Sequence, residues 1–392
     1  MSTSADTYWL ALRHVRGAGP RTCRLLLERF GSAERIFEAT EEEIASAGIG
    51  RNLARSFVSF DAFEPLEKEL CELSRLGARL VRWNDPDYPP NLKQIADPPP
   101  YLTARGPLEL SDGTCVAVVG ARAASEAGLK MAERLGFELA AHGFIVVSGL
   151  ARGIDGAAHR GALNAAGRTI AVLGCGIDVI YPPEHRELAN TIAQSRGAIL
   201  SELPVGTAPL PENFPGRNRI LSGLSLGVVI VEAAEKSGSL ITARMALEQD
   251  RQVFAVPGSP LSGKTRGSNR LIKEGAVLVE CVEDVLEELA PQMSARTSGA
   301  ERTSAPKIDH RTAELEAANK PSSLNDIAQE RVTEIQTILN CLKDAQSLHI
   351  DAVIESCQLP PQTVLNLLLE LELRGLVVQH PGKLFTLPRA GS

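Results

Sequence analysis

The chain is poor in aromatic side chains, which make up 4% of its 392 residues. That shortage excludes a binding surface built mainly on stacked rings. Paired cysteines are missing too. Cys23, Cys71, Cys115, Cys175, Cys281, Cys341 and Cys357 are odd in number, scattered and without a CxxC spacing. Such a set fits neither a disulfide framework nor a zinc site and points to a reducing cytoplasm. No window approaches the roughly 20 apolar residues of a membrane span, and the opening MSTSADTYW has no basic-then-apolar signal profile, so no membrane role is expected. A net charge of −7 excludes a basic coat, so any nucleic-acid site must be a local positive patch on an acidic body. Nucleotide motifs are absent as well. There is no GxxxxGK[ST], and Gly120-Ala121-Arg122-Ala123-Ala124-Ser125 lacks the GxGxxG spacing of a dinucleotide site. No metal-ligand set is visible, and no cofactor is expected.

What is present reads as an ordinary globular protein, 44% hydrophobic and 23% charged, long enough for two to four domains. Residues 1–75 are helical by period, with Leu10, Val15, Leu25, Leu26, Leu27 and Phe30 marking apolar faces. Two turns, Gly17-Ala18-Gly19-Pro20 and Gly48-Ile49-Gly50-Arg51, have the layout of a helix-hairpin-helix, whose N–H groups approach phosphate. They fit linking turns in a small bundle equally well. Residues 76–110 form a proline-rich connector, extended and irregular, with aromatics that pack on a neighbour.

Residues 111–290 alternate short apolar runs with helical ones. The runs are Cys115–Val119, Phe144–Val147, Thr169–Leu173, Ala198–Leu200, Gly227–Val231, Val253–Val256 and Val277–Val279. Continuous Val/Ile/Leu strands between helices imply a parallel sheet covered on both faces, the core of an α/β Rossmann-like domain. Its ligand belongs outside the carboxyl ends of the strands. Residues 291–328 are Ser/Ala/Thr/Pro-rich and read as a flexible linker. Residues 329–392 have three helical periods and a Gly-turned hairpin from Gly375 to Leu387, the outline of a winged helix. The third of those helices, Pro361 to Arg374, offers Gln362 and Asn366 but carries Glu370 and Glu372 and only Arg374 as a base, a poor match to a DNA groove.

The chemistry sits at five corners of the middle domain. The first is Val118-Val119-Gly120-Ala121-Arg122. The second runs from Ser148 and Gly149 through Arg152 and Gly153 to Asp155, read as a helix cap acting through His159. The third is Gly174-Cys175-Gly176, and the fourth is Phe214 followed by Arg217-Asn218-Arg219, a cationic knot read as a helix start. The fifth is Lys236-Ser237-Gly238-Ser239, which opens a helix. Singly, each glycine corner serves geometry. Five on one rim, carrying Arg122, Arg152, Arg217, Arg219 and Lys236, point to a multi-phosphate ligand. Phe214 is the one aromatic placed on the rim. Cys175 lacks an evident base, and Asp155 with His159 fits a packing pair better than a catalytic one. A binding rim without bond-cleaving machinery suggests a polyanion held and not converted.

The ordered motifs VVGAR, SGLARGIDGAAH, GCGIDVIYPPEH, FPGRNRILSGLS and SGSLITA, preceded by DPDYPPNLKQIADPPPYL, resemble the DNA-processing protein A family, DprA or Smf. The resemblance covers about residues 8 to 290. It implies a cytoplasmic, non-enzymatic protein of natural transformation that binds and protects incoming single-stranded DNA and loads the RecA recombinase past single-strand-binding protein. It implies a SAM-like or helix-hairpin-helix N-terminal module and a winged-helix tail. The family's VGxR arginine falls on Arg122, and its FPxRNR aromatic and basic residues fall on Phe214, Arg217 and Arg219. Where some relatives carry a basic residue just before that motif, this chain has Pro211. The resemblance also implies homodimers through the segment Gly267–Ala276, where Leu271 and Ile272 otherwise complete the core. The competing class is an enzyme, because the SGSLITA helix entry is also similar to nucleoside-monophosphate phosphoribohydrolases. Those use PGGxGTxxE, and this chain has no glutamate after the turn.

Overall fold

The computed structural model of the protein describes residues 4–108, 114–300, 335, 337–343, 348–357, 364, 367, 368, 371, 377–380 and 384–387. The chain divides into two compact units, Met1–Ala305 and Pro306–Ser392.

In the first unit, residues 5–75 form six short helices around Trp9, Leu12, Leu26, Ile36 and Phe57. Their ends follow local chemistry. Thr40 and Glu43 close a reciprocal capping box, and Gly31 ends its helix in the left-handed region at φ 82°. Both glycine turns lead into helices, Gly19 into Pro20–Phe30 and Gly50 into Arg51–Val58.

A nine-stranded sheet follows: β1 (Ala78–Arg82), β2 (Tyr101–Arg105), β3 (Cys115–Val119), β4 (Ile145–Ser148), β5 (Thr169–Val172), β6 (Ala198–Ser201), β7 (Gly227–Ile230), β8 (Gln252–Ala255) and β9 (Val277–Leu278). The order is β1-β2-β6-β5-β4-β3-β7-β8-β9. From β6 to β9 every neighbour is parallel, while β2 runs antiparallel to both β1 and β6. The seven apolar runs become the seven parallel strands, and most are buried along their whole length, as strands covered on both faces must be.

Two segments differ from the sequence reading. The connector 76–110 is not merely irregular, because it supplies β1 and β2. Its prolines lie between the two strands or, at Pro107, beyond the second, so their missing N–H groups interrupt no ladder. The helix that begins at Val282 runs to Ala300, with Pro291 inside it, into the stretch read as linker.

One helix layer is pressed tightly together. On Gly161 of the Ile154–Asn164 helix, a Cβ would come within 2.0 Å of the Glu133 carbonyl oxygen. On Gly136 of the Glu126–Ala141 helix, it would come within 2.3 Å of the Ala158 carbonyl. The two backbones therefore touch without side chains between them.

The second unit has a small antiparallel sheet in which Leu384–Thr386 lies between Leu348–His349 and Val378–His380. A helix at Ile350–Cys357 packs with it around Leu342, Val353, Leu371 and Phe385. Gln362, Asn366, Glu370, Glu372 and Arg374 lie outside the described residues. Among the described residues no helix is long and apolar enough to cross a membrane.

Replacing Gly161 by Val should force the two helices apart at a cost of about 2–3 kcal/mol. Urea denaturation of the variant should show a lower midpoint, and an unchanged midpoint would contradict the close approach.

Candidate nucleic-acid interface

From β3 the chain winds through β4, β5 and β6 on one side of the sheet and through β7, β8 and β9 on the other. Loops leaving the carboxyl ends of β3 and β7 diverge there, which opens a crevice at the switch point. The crevice is a groove of about 770 Å³. Its lining includes Gly120 and Arg122 after β3, Asp155 after β4, Lys236, Ser237, Gly238 and Ser239 after β7, and Phe214, Arg217 and Asn218 from the Asn213–Leu224 helix.

Phe214 is half-buried in the wall. Its ring rests on Gly174, where a Cβ would meet Cδ1 at 2.9 Å. Arg122 is exposed, with its guanidinium carbon 5.2 Å from the Phe214 ring centroid. Lys236 is exposed too, and Ser237 and Ser239 share a 2.7 Å hydrogen bond at the start of the Ser239–Glu248 helix. The N-cap residue, Gly238, has no side chain to cap that helix; Ser237 Oγ accepts from the Ser239 N–H at 3.4 Å instead. Neither Arg122 nor Lys236 has an ion-pair partner among the described residues.

The arginine knot does not present three free groups to a ligand. The helix begins at Asn213, not at Arg217, so the knot lies in the second turn and not at the dipole end. Residues two apart on a helix point about 200° apart. Arg217 and Asn218 therefore line the groove, and Arg219 turns away from it. Arg217 is buried, 6% exposed, and its Nη1 donates to the carbonyls of Gly149, at 2.7 Å, and Val172. A Cβ on Gly149 would strike that guanidinium at 2.3 Å. Burial pulls the Arg217 pKa down from its ordinary value, and nearby Asp155 works against that. Arg219 donates to the Asp97 carbonyl at 2.6 Å and to Glu202 Oε1 at 2.5 Å, and Glu202 also holds Arg13. It ties the sheet to the connector and the first helix.

Other expected residues fall outside the lining. Arg152 is exposed but paired with Glu184, whose carboxyl that hydrogen bond helps hold down to about 2. Ser148 Oγ donates to the Val118 carbonyl, and Gly149, Gly153, Gly174 and Gly176 shape loops behind the wall. Asp155 does not engage His159. Its Oδ2 accepts from the N–H groups of Gly149 and Ala151, while His159 Nδ1 bonds to Thr169. Burial raises the Asp155 pKa, opposed by Arg217. The Cys175 thiol donates to the Val179 carbonyl, and burial pushes its pKa up to about 11, which disfavours the reactive thiolate.

Among the lining residues that were not expected from the sequence, Tyr181 and Lys264 carry an aromatic ring and a charge. Tyr181 is exposed, with its ring centroid 6.3 Å from that of Phe214, so the wall carries an aromatic pair. Lys264 reaches the groove from the loop after β8 and has no ion-pair partner among the described residues. The signal for Lys264 was available, because every loop after a parallel strand lies on the same sheet edge.

An open, doubly wound sheet with a cation-ringed crevice at its switch point defines the class, an extended Rossmann-type protein with an anion-receptive site. The chain belongs to the DNA recombination-mediator protein A family, whose model matches residues 79–290, and a DprA winged-helix model matches residues 324–383. It is 35% identical over 400 residues to Protein Smf from Synechocystis, covering 97% of this chain and 98% of that one. The X-ray structure of DprA from Streptococcus pneumoniae has a TM-score of 0.64 and 37% identity, covering 74% of this chain and 99% of that one. A structure of DprA from Helicobacter pylori, described for its single-stranded DNA binding mode, has a TM-score of 0.50 and 30% identity, covering 56% and 98%.

Removing Arg217 or Arg219 should lower stability by about 2–4 kcal/mol, because each leaves buried partners unsatisfied. Arg122→Ala should stay within about 0.5 kcal/mol of the parent. Chemical denaturation at pH 7 separates the cases, and an Arg219→Ala protein of parental stability would contradict the assignment.

Proposed function

We propose that the protein binds single-stranded DNA in the switch-point groove during natural transformation, protects it and loads the RecA recombinase onto it. In this reading it works in the cytoplasm alongside single-strand-binding protein. One observation carries the reading: Arg122, Lys236 and Lys264 line the groove beside an aromatic pair, and none of the three has an ion-pair partner among the described residues. A strand needs that combination of free cations for phosphates and a ring face for bases. Family membership and the DNA mode described for the Helicobacter pylori relative support it.

Holding the strand, not converting it, is supported by the blocked Cys175 thiol and by the use of Asp155 Oδ2 within the fold. Incubation with AMP should release no free base; release would favour the phosphoribohydrolase reading.

Affinity should be phosphate-led and fall steeply with salt. Arg122→Ala, Lys236→Ala and Lys264→Ala should each weaken an oligonucleotide by roughly 1–3 kcal/mol and flatten the salt slope, measured by fluorescence titration. Unchanged affinity in the folded triple variant would refute the site.

A homodimer through the Arg266–Lys273 helix belongs to the same proposal. Leu271 packs on the core, whereas Ile272, half-buried on the same helix, is the better candidate for a contact with a second copy. Sedimentation should find a dimer that Ile272→Asp converts to a folded monomer. A parent protein that is monomeric at tens of micromolar would remove the dimer alone.

A further inference from the structure

Two polar groups on the groove floor are not used up by the fold. Asp155 is 5% exposed and Asn218 is 9% exposed, and both line the cavity. Asp155 commits Oδ2 to Gly149 and Ala151, while its Oδ1 has no hydrogen-bond partner among the described residues. Asn218 commits Oδ1 to Arg217 Nε at 3.2 Å, while its Nδ2 has no partner among the described residues. Buried polar groups are ordinarily hydrogen-bonded. Here an acceptor and a donor that both border the Arg217 guanidinium are left open toward a cavity walled by Phe214 and Tyr181.

We propose that this pair reads the Watson–Crick edge of one unstacked base and prefers guanine. The proposal rests on the single-stranded DNA reading above. It follows from the hydrogen-bonding groups of the bases. A carboxylate oxygen has two lone pairs, and guanine is the base that presents two adjacent donors, N1–H and the N2 amino group, with the O6 acceptor beside them for the Asn218 amide. Adenine and cytosine offer the carboxylate a single amino group. Thymine offers one N–H flanked by two carbonyls that the carboxylate repels. Phosphate contacts at Arg122, Lys236 and Lys264 are blind to sequence, so discrimination has to come from the floor. Paired bases have this edge occupied, so the pair also selects single strands over duplex.

The test is displacement of a labelled oligothymidylate from the full-length protein by dGMP, dIMP, dAMP, dCMP and dTMP, read by fluorescence anisotropy. dGMP should displace at about tenfold lower concentration than dTMP, the scale of one bidentate base contact. dIMP, which lacks the N2 amino group, should fall between them. Asp155→Asn still accepts from Gly149 and Ala151 but turns an amide N–H2 toward the base, and it should erase the guanine advantage. Asn218→Asp keeps the Arg217 bond, removes the donor and should do the same. Equal displacement by all five nucleotides, no displacement by any at millimolar concentration, or a guanine advantage that survives Asp155→Asn overturns the proposal and leaves the single-strand reading standing. An oligothymidylate that does not bind the parent protein at all overturns both.

Discussion

The groove depends on one buried cation. The Arg217 guanidinium sits where β4 and β5 end and donates to the carbonyls of Gly149 and Val172. Buried carbonyls must find donors, and a buried guanidinium must find acceptors, so each requirement meets the other. The consequences run outward. Gly149 must lack a side chain, Asn218 is oriented through Arg217 Nε, and the Phe214 ring lies 5.7 Å from the guanidinium carbon. The wall of the site is thus built on a charge that does not itself leave the protein.

This separates two populations of arginine that look alike in sequence. Arg217 and Arg219 are buried and spent on carbonyls and carboxylates, and Arg152 is spent on Glu184 at the surface. Arg122, Lys236 and Lys264 keep their charge for the groove. A local positive patch of this kind can exist on a body of net charge −7 because screening confines exposed charges to a range of about 8–10 Å. Arg219 has a different task. With Glu202, Arg13 and Asp97 it joins the helical module, the connector and the sheet, which holds the groove helix from behind.

Much of this architecture was legible in the chain. The parallel strands are unbroken apolar runs because both faces are covered, and their shortness and alternation with helical stretches separate them from buried helices. The corners at Gly120 and Lys236 were legible because strand-to-helix turns must collect at one sheet edge. The roles of Arg217 and Arg219 were not. A cluster of like charges reads as one patch until the helix phase is known, and the true start at Asn213 turns Arg219 to the opposite side. Tyr181 was hidden within a Tyr-Pro-Pro run whose path follows from no local preference. The strands β1 and β2 were masked by the prolines between them, which say nothing about the pairing of the segments they connect.

The central claim is that the strand lies in the switch-point groove against Phe214 and Tyr181. Photo-crosslinking with an oligonucleotide carrying 5-iodouracil, followed by mass-spectrometric peptide mapping, tests it most directly. Adducts on Phe214 or Tyr181 that disappear at high salt are the predicted result. Adducts confined to the helices of residues 5–75 or to residues beyond 305 would place the strand elsewhere and contradict it.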